Sequence, residues 1–230
     1  MSSSNRMKYG KVAVFGCPNV GKTAFIVRLI TKRFIGEYES GKEMIYNLRF
    51  VHEDDVIELD ILDSQIEQDA VKLEENIKWA DAFILMYSIT DSSGLDRLYE
   101  LKRQISRIRI RNAPMMLIGN KNDLEHFRAV AREAAANFAE LYRCLFYEVA
   151  AAEDYGGVHA AFGSLVMEMR AEHARCAVAL DRKSKLMTMK NALKQKLSKN
   201  KGDATGVKTS DVRATLEEES ALLSVANASI

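Results

Sequence analysis

The stretch Gly16-Cys17-Pro18-Asn19-Val20-Gly21-Lys22-Thr23 fits the pattern G-x-x-x-x-G-K-[ST]. The chemistry of phosphate binding explains this spacing. A loop that wraps a phosphate must turn successive backbone N–H groups, and the positive end of a helix, toward it. Gly16 and Gly21 allow the required backbone conformations and close approach. In this pattern the Lys22 ammonium reaches the terminal phosphates and the Thr23 hydroxyl ligates Mg²⁺. Asn19, Val20 and Ala24 complete the predicted phosphate contacts. Pro18 removes one N–H from the cradle and stiffens it, while Asn19 through Thr23 keep theirs.

The flanking sequence supplies the context that the loop needs. The apolar run Tyr9–Phe15 precedes it, and a helical pattern with Phe25, Ile26, Leu29 and Ile30 on one face follows. Two strand-like runs, Met44–Val51 and Val56–Leu62, flank the acidic turn His52-Glu53-Asp54-Asp55 and predict a hairpin. Alternation then continues: helix 69–79, strand Ala82–Tyr87, helix 94–111, strand Met115–Ile118, helix 128–142, strand 144–148, and a last helix from about 157 to 179. This order predicts an α/β domain, a mostly parallel six-stranded sheet with one antiparallel edge strand and helices on both faces.

Composition narrows the setting. Of 230 residues, 47% are hydrophobic, enough for one full core, and 33 Lys and Arg nearly cancel 32 Asp and Glu. That balance argues against a specific nucleic-acid binder. The cysteines Cys17, Cys144 and Cys176 have no metal or disulfide spacing and read as reduced thiols. The first residues carry no secretion pattern and no glycine for myristoylation, and no apolar run approaches the ~20 residues that span a bilayer. The expected location is cytoplasmic, with nuclear or peripheral membrane association as further options.

A second motif sets the base. Asn120-Lys121-Asn122-Asp123 follows the strand Met115–Ile118 and Gly119. A carboxylate at Asp123 can accept from guanine N1–H and the N2 amino group together. Adenine lacks that pair of donors and would leave the carboxylate unpaired, so an ATP-using enzyme does not fit.

Over about residues 8–172 the chain resembles the Ras superfamily of small GTPases, closest to its non-prenylated branch with the Ras-related oestrogen-regulated growth inhibitor. The residues that carry the likeness are Gly16–Thr23, Leu29–Tyr38, Ile61-Leu62-Asp63, Gly119–Asp123 and Phe146-Tyr147-Glu148. The resemblance implies a P-loop G domain that binds GTP or GDP with Mg²⁺, acts as a monomeric signalling switch, and meets effector and regulator proteins. It places Phe34 against the guanine ring, runs Lys121 along the base plane, and assigns Asp63 to Mg²⁺ beside Thr23. The last base motif reads Ala150-Ala151-Ala152 here. The Ala151 N–H is expected on guanine O6, without the side-chain support that the family's Ser and Lys give.

The switch segments depart from the family. Gly41 stands where the family has a Thr that senses Mg²⁺ and the γ-phosphate, with Ser40 beside it. The family's Asp-Thr-Ala-Gly-Gln-Glu becomes Asp63-Ser64-Gln65-Ile66-Glu67-Gln68. Ile66 is β-branched where the family Gly exposes its N–H. Glu67 replaces the water-orienting Gln; it is repelled by phosphate and has no N–H to donate. With Lys22 and Glu67 as the catalytic candidates, slow hydrolysis is expected. The alternative is a pseudo-GTPase, a nucleotide-stabilised module acting through partners.

The domain is expected over 8–176, followed by a tail over 177–230. Arg182, Lys183, Lys185, Lys190, Lys194, Lys196, Lys199 and Lys201 lie in 182–201 with no acid among them. Leu186, Met189, Leu193 and Leu197 recur at helical spacing, which predicts a basic amphipathic helix suited to weak contact with an anionic membrane or calmodulin. The segment 200–210 reads as disordered. The final four residues carry no prenylation signal.

Overall fold

The computed structural model describes residues 6–35, 43–52, 55–66, 69–109 and 113–200, without the side chains of His52 and 195–200. Two units divide the chain, Met1–Val178 and Ala179–Ile230.

In the first unit the strands are β1 (Tyr9–Gly16), β2 (Met44–His52), β3 (Asp55–Gln65), β4 (Ala82–Ser88), β5 (Met115–Asn120) and β6 (Leu145–Val149). They form one six-stranded sheet in the order β2-β3-β1-β4-β5-β6. β2 pairs antiparallel with β3, and the pairs β1–β3, β1–β4, β4–β5 and β5–β6 are parallel. This is the predicted sheet, with β2 as its antiparallel edge. The helices are α1 (Lys22–Thr31), α2 (Ala70–Trp79), α3 (Ser92–Ile108), α4 (Arg132–Tyr142) and α5 (Tyr155–Asn200).

Alternation along the strands divides the core between the two faces. Val12 and Val14 of β1, with Ile57, Leu59 and Ile61 of β3, pack with Phe25 and Ile26 of α1 and Phe162 and Leu165 of α5. Ala13 and Phe15, with Leu62, face Leu73 and Ile77 of α2, Leu98 and Leu101 of α3, and Phe138 of α4. Phe162 is fully buried and meets the Phe50 ring edge-on at 5.4 Å. Truncating such a ring to Ala removes about 3–5 kcal/mol. At the end of α2, Trp79 lies under the Lys11 ammonium, 5.3 Å from the ring centroid.

Several boundaries differ from the sequence reading, and three of them show their cause in the hydrogen bonding. β3 runs on to Gln65, because its parallel pairing with β1 continues to Gly16↔Gln65. α4 begins at Arg132, not 128, because the N–H groups of Ala129 and Val130 both donate to the Ile89 carbonyl. α3 begins at Ser92, where the Asp91 side chain caps the helix by accepting from the Ser93 N–H at 3.0 Å.

In the second unit, the chain is helical to Asn200, as expected for the basic stretch from 182, but the helix expected to end near 179 runs into it without a break. Leu180, Leu186, Met187, Met189 and Leu193 are exposed there. The segment read as disordered, 200–210, lies outside the described residues except for Asn200. Among the described residues, no helix is long and apolar enough to cross a membrane.

Candidate nucleotide site

Apart from Phe34, which follows α1, the predicted site residues that the structure describes lie at or just beyond the carboxyl ends of β1, β3, β5 and β6, where open α/β sheets bind ligands. At the end of β1, Gly16 has no room for a side chain: a Cβ there would approach the Met86 carbonyl oxygen to 2.5 Å. Gly21 has φ +94°, and a Cβ on it would strike the Asn120 amide. Between them Asn19 also adopts a left-handed backbone, φ 62°, which Asn tolerates better than most residues. The loop is thus a cradle whose shape two glycines and one asparagine permit.

Lys22 opens α1 and is only 7% exposed. Its Nζ donates to the carbonyls of Gly16 and Cys17, each at 3.0 Å. Burial lowers its pKa, opposed by the charge of Asp63. Next to it the Thr23 hydroxyl donates to the Asp63 carboxylate at the end of β3. Asp63 is 6% exposed. Burial raises its pKa, while the Thr23 hydrogen bond and the Lys22 charge hold it down. A hydroxyl and a carboxylate in contact at the phosphate end of the site are hard oxygen donors that suit Mg²⁺, which takes few protein ligands and keeps water for the rest.

The base end is held by buried polar bonds. The Asn120 side chain is 3% exposed, and its Nδ2 donates to the Val20 carbonyl at 2.9 Å. Its Oδ1 accepts from the Ala151 N–H at 3.1 Å. One amide thereby joins the phosphate loop, the end of β5 and the loop after β6. The N–H expected on guanine O6 is thus directed to Asn120, because the buried Oδ1 needs a donor. Lys121 adopts φ 67° and leads into a 3-10 segment, Asn122–Phe127, with Asp123 half-buried in its first turn. No described residue pairs with the Asp123 carboxylate. Phe34, placed against the base by the family likeness, is 47% exposed just after α1.

Sequence reading missed two supports. The buried Glu148 carboxylate is gripped by Arg128 through bonds of 2.8 and 3.0 Å, and Arg128 also holds Glu125 at 2.7 Å. This fork ties the segment carrying Asp123 to β6. Arg28 of α1 donates to the Ala152 carbonyl at 2.7 Å, and the N–H groups of Glu153 and Asp154 close a turn on the Ala150 carbonyl. Backbone and Arg28 therefore support the Ala150-Ala151-Ala152 loop. Arg128 lies in a stretch that the sequence reading assigned to a helix, so its role left no periodic signal.

Around the switch segments, Glu43 accepts from the Ser64 hydroxyl at 3.0 Å and from Asn76 Nδ2 at 2.6 Å, with Lys72 at 3.3 Å. Ile66 is half-buried and packs against both core clusters. Ser40, Gly41, Glu67 and Gln68 lie outside the described residues.

The fold and this loop set define an α/β domain of the phosphate-loop, guanine-motif class. The Ras family pattern matches residues 11–171. The chain is 36% identical over 161 residues to the human "Ras-related and estrogen-regulated growth inhibitor", covering 70% of this chain and 81% of that protein. Zebrafish (Danio rerio) "Ras-like protein family member 11B" is 35% identical over 167 residues, 69% of this chain and 68% of that protein. The Xenopus laevis protein of the same name is 32% identical over 213 residues, 86% of each chain. The chain belongs to the Ras family of small GTP-binding proteins.

Proposed function

We propose that this chain holds GTP or GDP with Mg²⁺, hydrolyses GTP slowly, and signals through protein partners. The observation that best supports this is the Thr23–Asp63 pair beside the buried Lys22 ammonium. It assembles, at one end of a glycine-shaped cradle, the charges that a Mg²⁺-bound triphosphate requires. Lys22 would exchange its carbonyl partners for phosphate oxygens, a charge-assisted and stronger pairing. Thr23 and Asp63 would hold Mg²⁺, which when bound neutralises charge on the phosphates. Asp123 would select guanine through its paired donors. Gly16, Asn19, Val20, Gly21 and Ala24 would shape or line the phosphate cradle, while Phe34, Lys121 and the Ala150–Ala152 loop would flank the base.

Slow turnover follows from Gly41, Ile66 and Glu67. Packing of Ile66 against both core clusters favours a chain segment less free to bring its N–H to the γ-phosphate than a glycine would be. The same observation supports the second reading, a pseudo-GTPase that binds without turnover. The basic stretch 182–201 would add weak contact with an anionic surface. Mass spectrometry of nucleotide released from purified protein tests the first reading. Guanine nucleotide is the expected release; adenine nucleotide, or none after Mg²⁺ and GDP are supplied, would overturn it.

A further inference from the structure

We infer that Gln65 supplies the amide that orients the attacking water, the task for which Glu67 is chemically unsuited. This rests on the GTP reading above. The inference comes from four consecutive residues. The Asp63 carboxylate is engaged by Thr23. The Ser64 hydroxyl is engaged by Glu43 and Asn76. Ile66 packs into both core clusters. Between these anchored neighbours, the half-buried Gln65 has a side-chain amide that no described residue hydrogen-bonds.

Register and pleat place Gln65. It pairs with Gly16, the first residue of the phosphate loop. Side chains two apart on a strand share a face. Ile57, Leu59 and Ile61 lie on the α1 face, and Asp63 on that face meets Thr23 of α1. Gln65 is the next member of that series, about 7 Å further along the strand toward the loop. Its partner strand and the Ile66 side chain fix its backbone, so the amide is presented by a sheet rather than by a loop.

The chemistry needs one acceptor for the water and one donor for the phosphate. An amide carries both; a carboxylate carries acceptors only. In the reaction, the water oxygen forms a bond to the γ-phosphorus and the bond from that phosphorus to the β–γ bridging oxygen breaks. The proton leaves with phosphate, giving GDP and inorganic phosphate. The Gln65 carbonyl oxygen would accept from the water while its NH₂ donates to a γ-phosphate oxygen.

Single-turnover hydrolysis of GTP by the full chain, with Q65A and Q65E beside the wild type, tests this. Both variants should slow phosphate release by about a hundredfold or more, the scale of losing one transition-state donor. Their GDP affinity and thermal midpoint should stay near wild type, which a merely structural role would not allow. Wild-type rates in both variants overturn the inference. So does a wild-type chain that binds GTP and never hydrolyses it, an outcome that leaves the GTP reading standing. Failure of the wild type to bind any guanine nucleotide sinks that reading itself, and the inference with it.

Discussion

Asn120 Nδ2 donates to the Val20 carbonyl across 100 positions of sequence, at 2.9 Å and out of contact with solvent. Its Oδ1 takes the Ala151 N–H in the opposite direction. The phosphate and base halves of the site therefore share one amide.

Asn120→Ala strands both of those partners in a buried setting. The expected loss is about 1–3 kcal/mol of stability for each group left unsatisfied. Denaturant unfolding should show a lower midpoint, and guanine nucleotide should dissociate faster. An unchanged midpoint would mean that water replaces the amide without loss.

Base choice should follow Asp123. Competition binding is expected to favour GDP over ADP by about ten-thousandfold or more, the scale at which a site built for hydrogen-bond donors rejects an analogue lacking them. Asp123→Asn should erase most of that ratio while leaving the phosphate contacts in place. Equal affinity of the wild type for both nucleotides would refute the assignment.

Restoring Gly at 66 and Gln at 67 should accelerate single-turnover hydrolysis by about a hundredfold or more, the lower range of catalytic contributions from one positioned group. The change removes the packing of Ile66 and so should also reduce stability. A restored chain that is no faster would show that neither residue limits the rate.

The buried carboxylate Asp63 gives a pH signature. Its folded pKa is raised, mainly by burial. Ionisation therefore weighs against folding above the folded pKa, and that penalty fades as pH falls toward the unfolded value. In Mg²⁺-free, nucleotide-free protein, Asp63→Asn should raise the thermal midpoint at neutral pH, with the advantage shrinking in acid. The same substitution should weaken Mg²⁺-dependent GTP binding. A stabilisation that does not vary with pH would show that ionisation of Asp63 is not the cause.

The stretch 182–201 carries eight cations. At about 1 kcal/mol for each cation near an anionic surface, screened by salt, they support reversible binding only. The protein should sediment weakly with anionic liposomes at low salt and be released at high salt. Binding that survives high salt, or that persists after deletion of 180–201, would point to another anchor.

The phosphate-loop motif, the mostly parallel sheet and the guanine motif were legible because each depends on local chemistry: glycines where a Cβ cannot fit, alternation of apolar runs, an Asp beside Asn and Lys. Arg28, Arg128 and Glu43 were not. They act through partners far away in sequence, Ala152, Glu148 and Asn76, and no period or spacing announces such pairs. The extension of β3 to Gln65 was hidden for the same reason. Its polar residues, Ser64 and Gln65, read as loop until the facing strand is known. The helical character of 182–200 was legible from the spacing of Leu186, Met189 and Leu193, but its continuity with the helix before it was not, because the thinning apolar residues near 179 read as an end.

Trp79, the sole tryptophan of the chain, closes α2 beneath the Lys11 ammonium. Indole emission responds to a nearby charge, and α2 is the helix that follows the departed switch residues. Trp79 is thus placed as an intrinsic optical reporter at the end of α2. If exchange of GDP for GTP moves this helix, indole emission should change without any label, and a flat signal across that exchange would identify a helix that does not listen to the nucleotide.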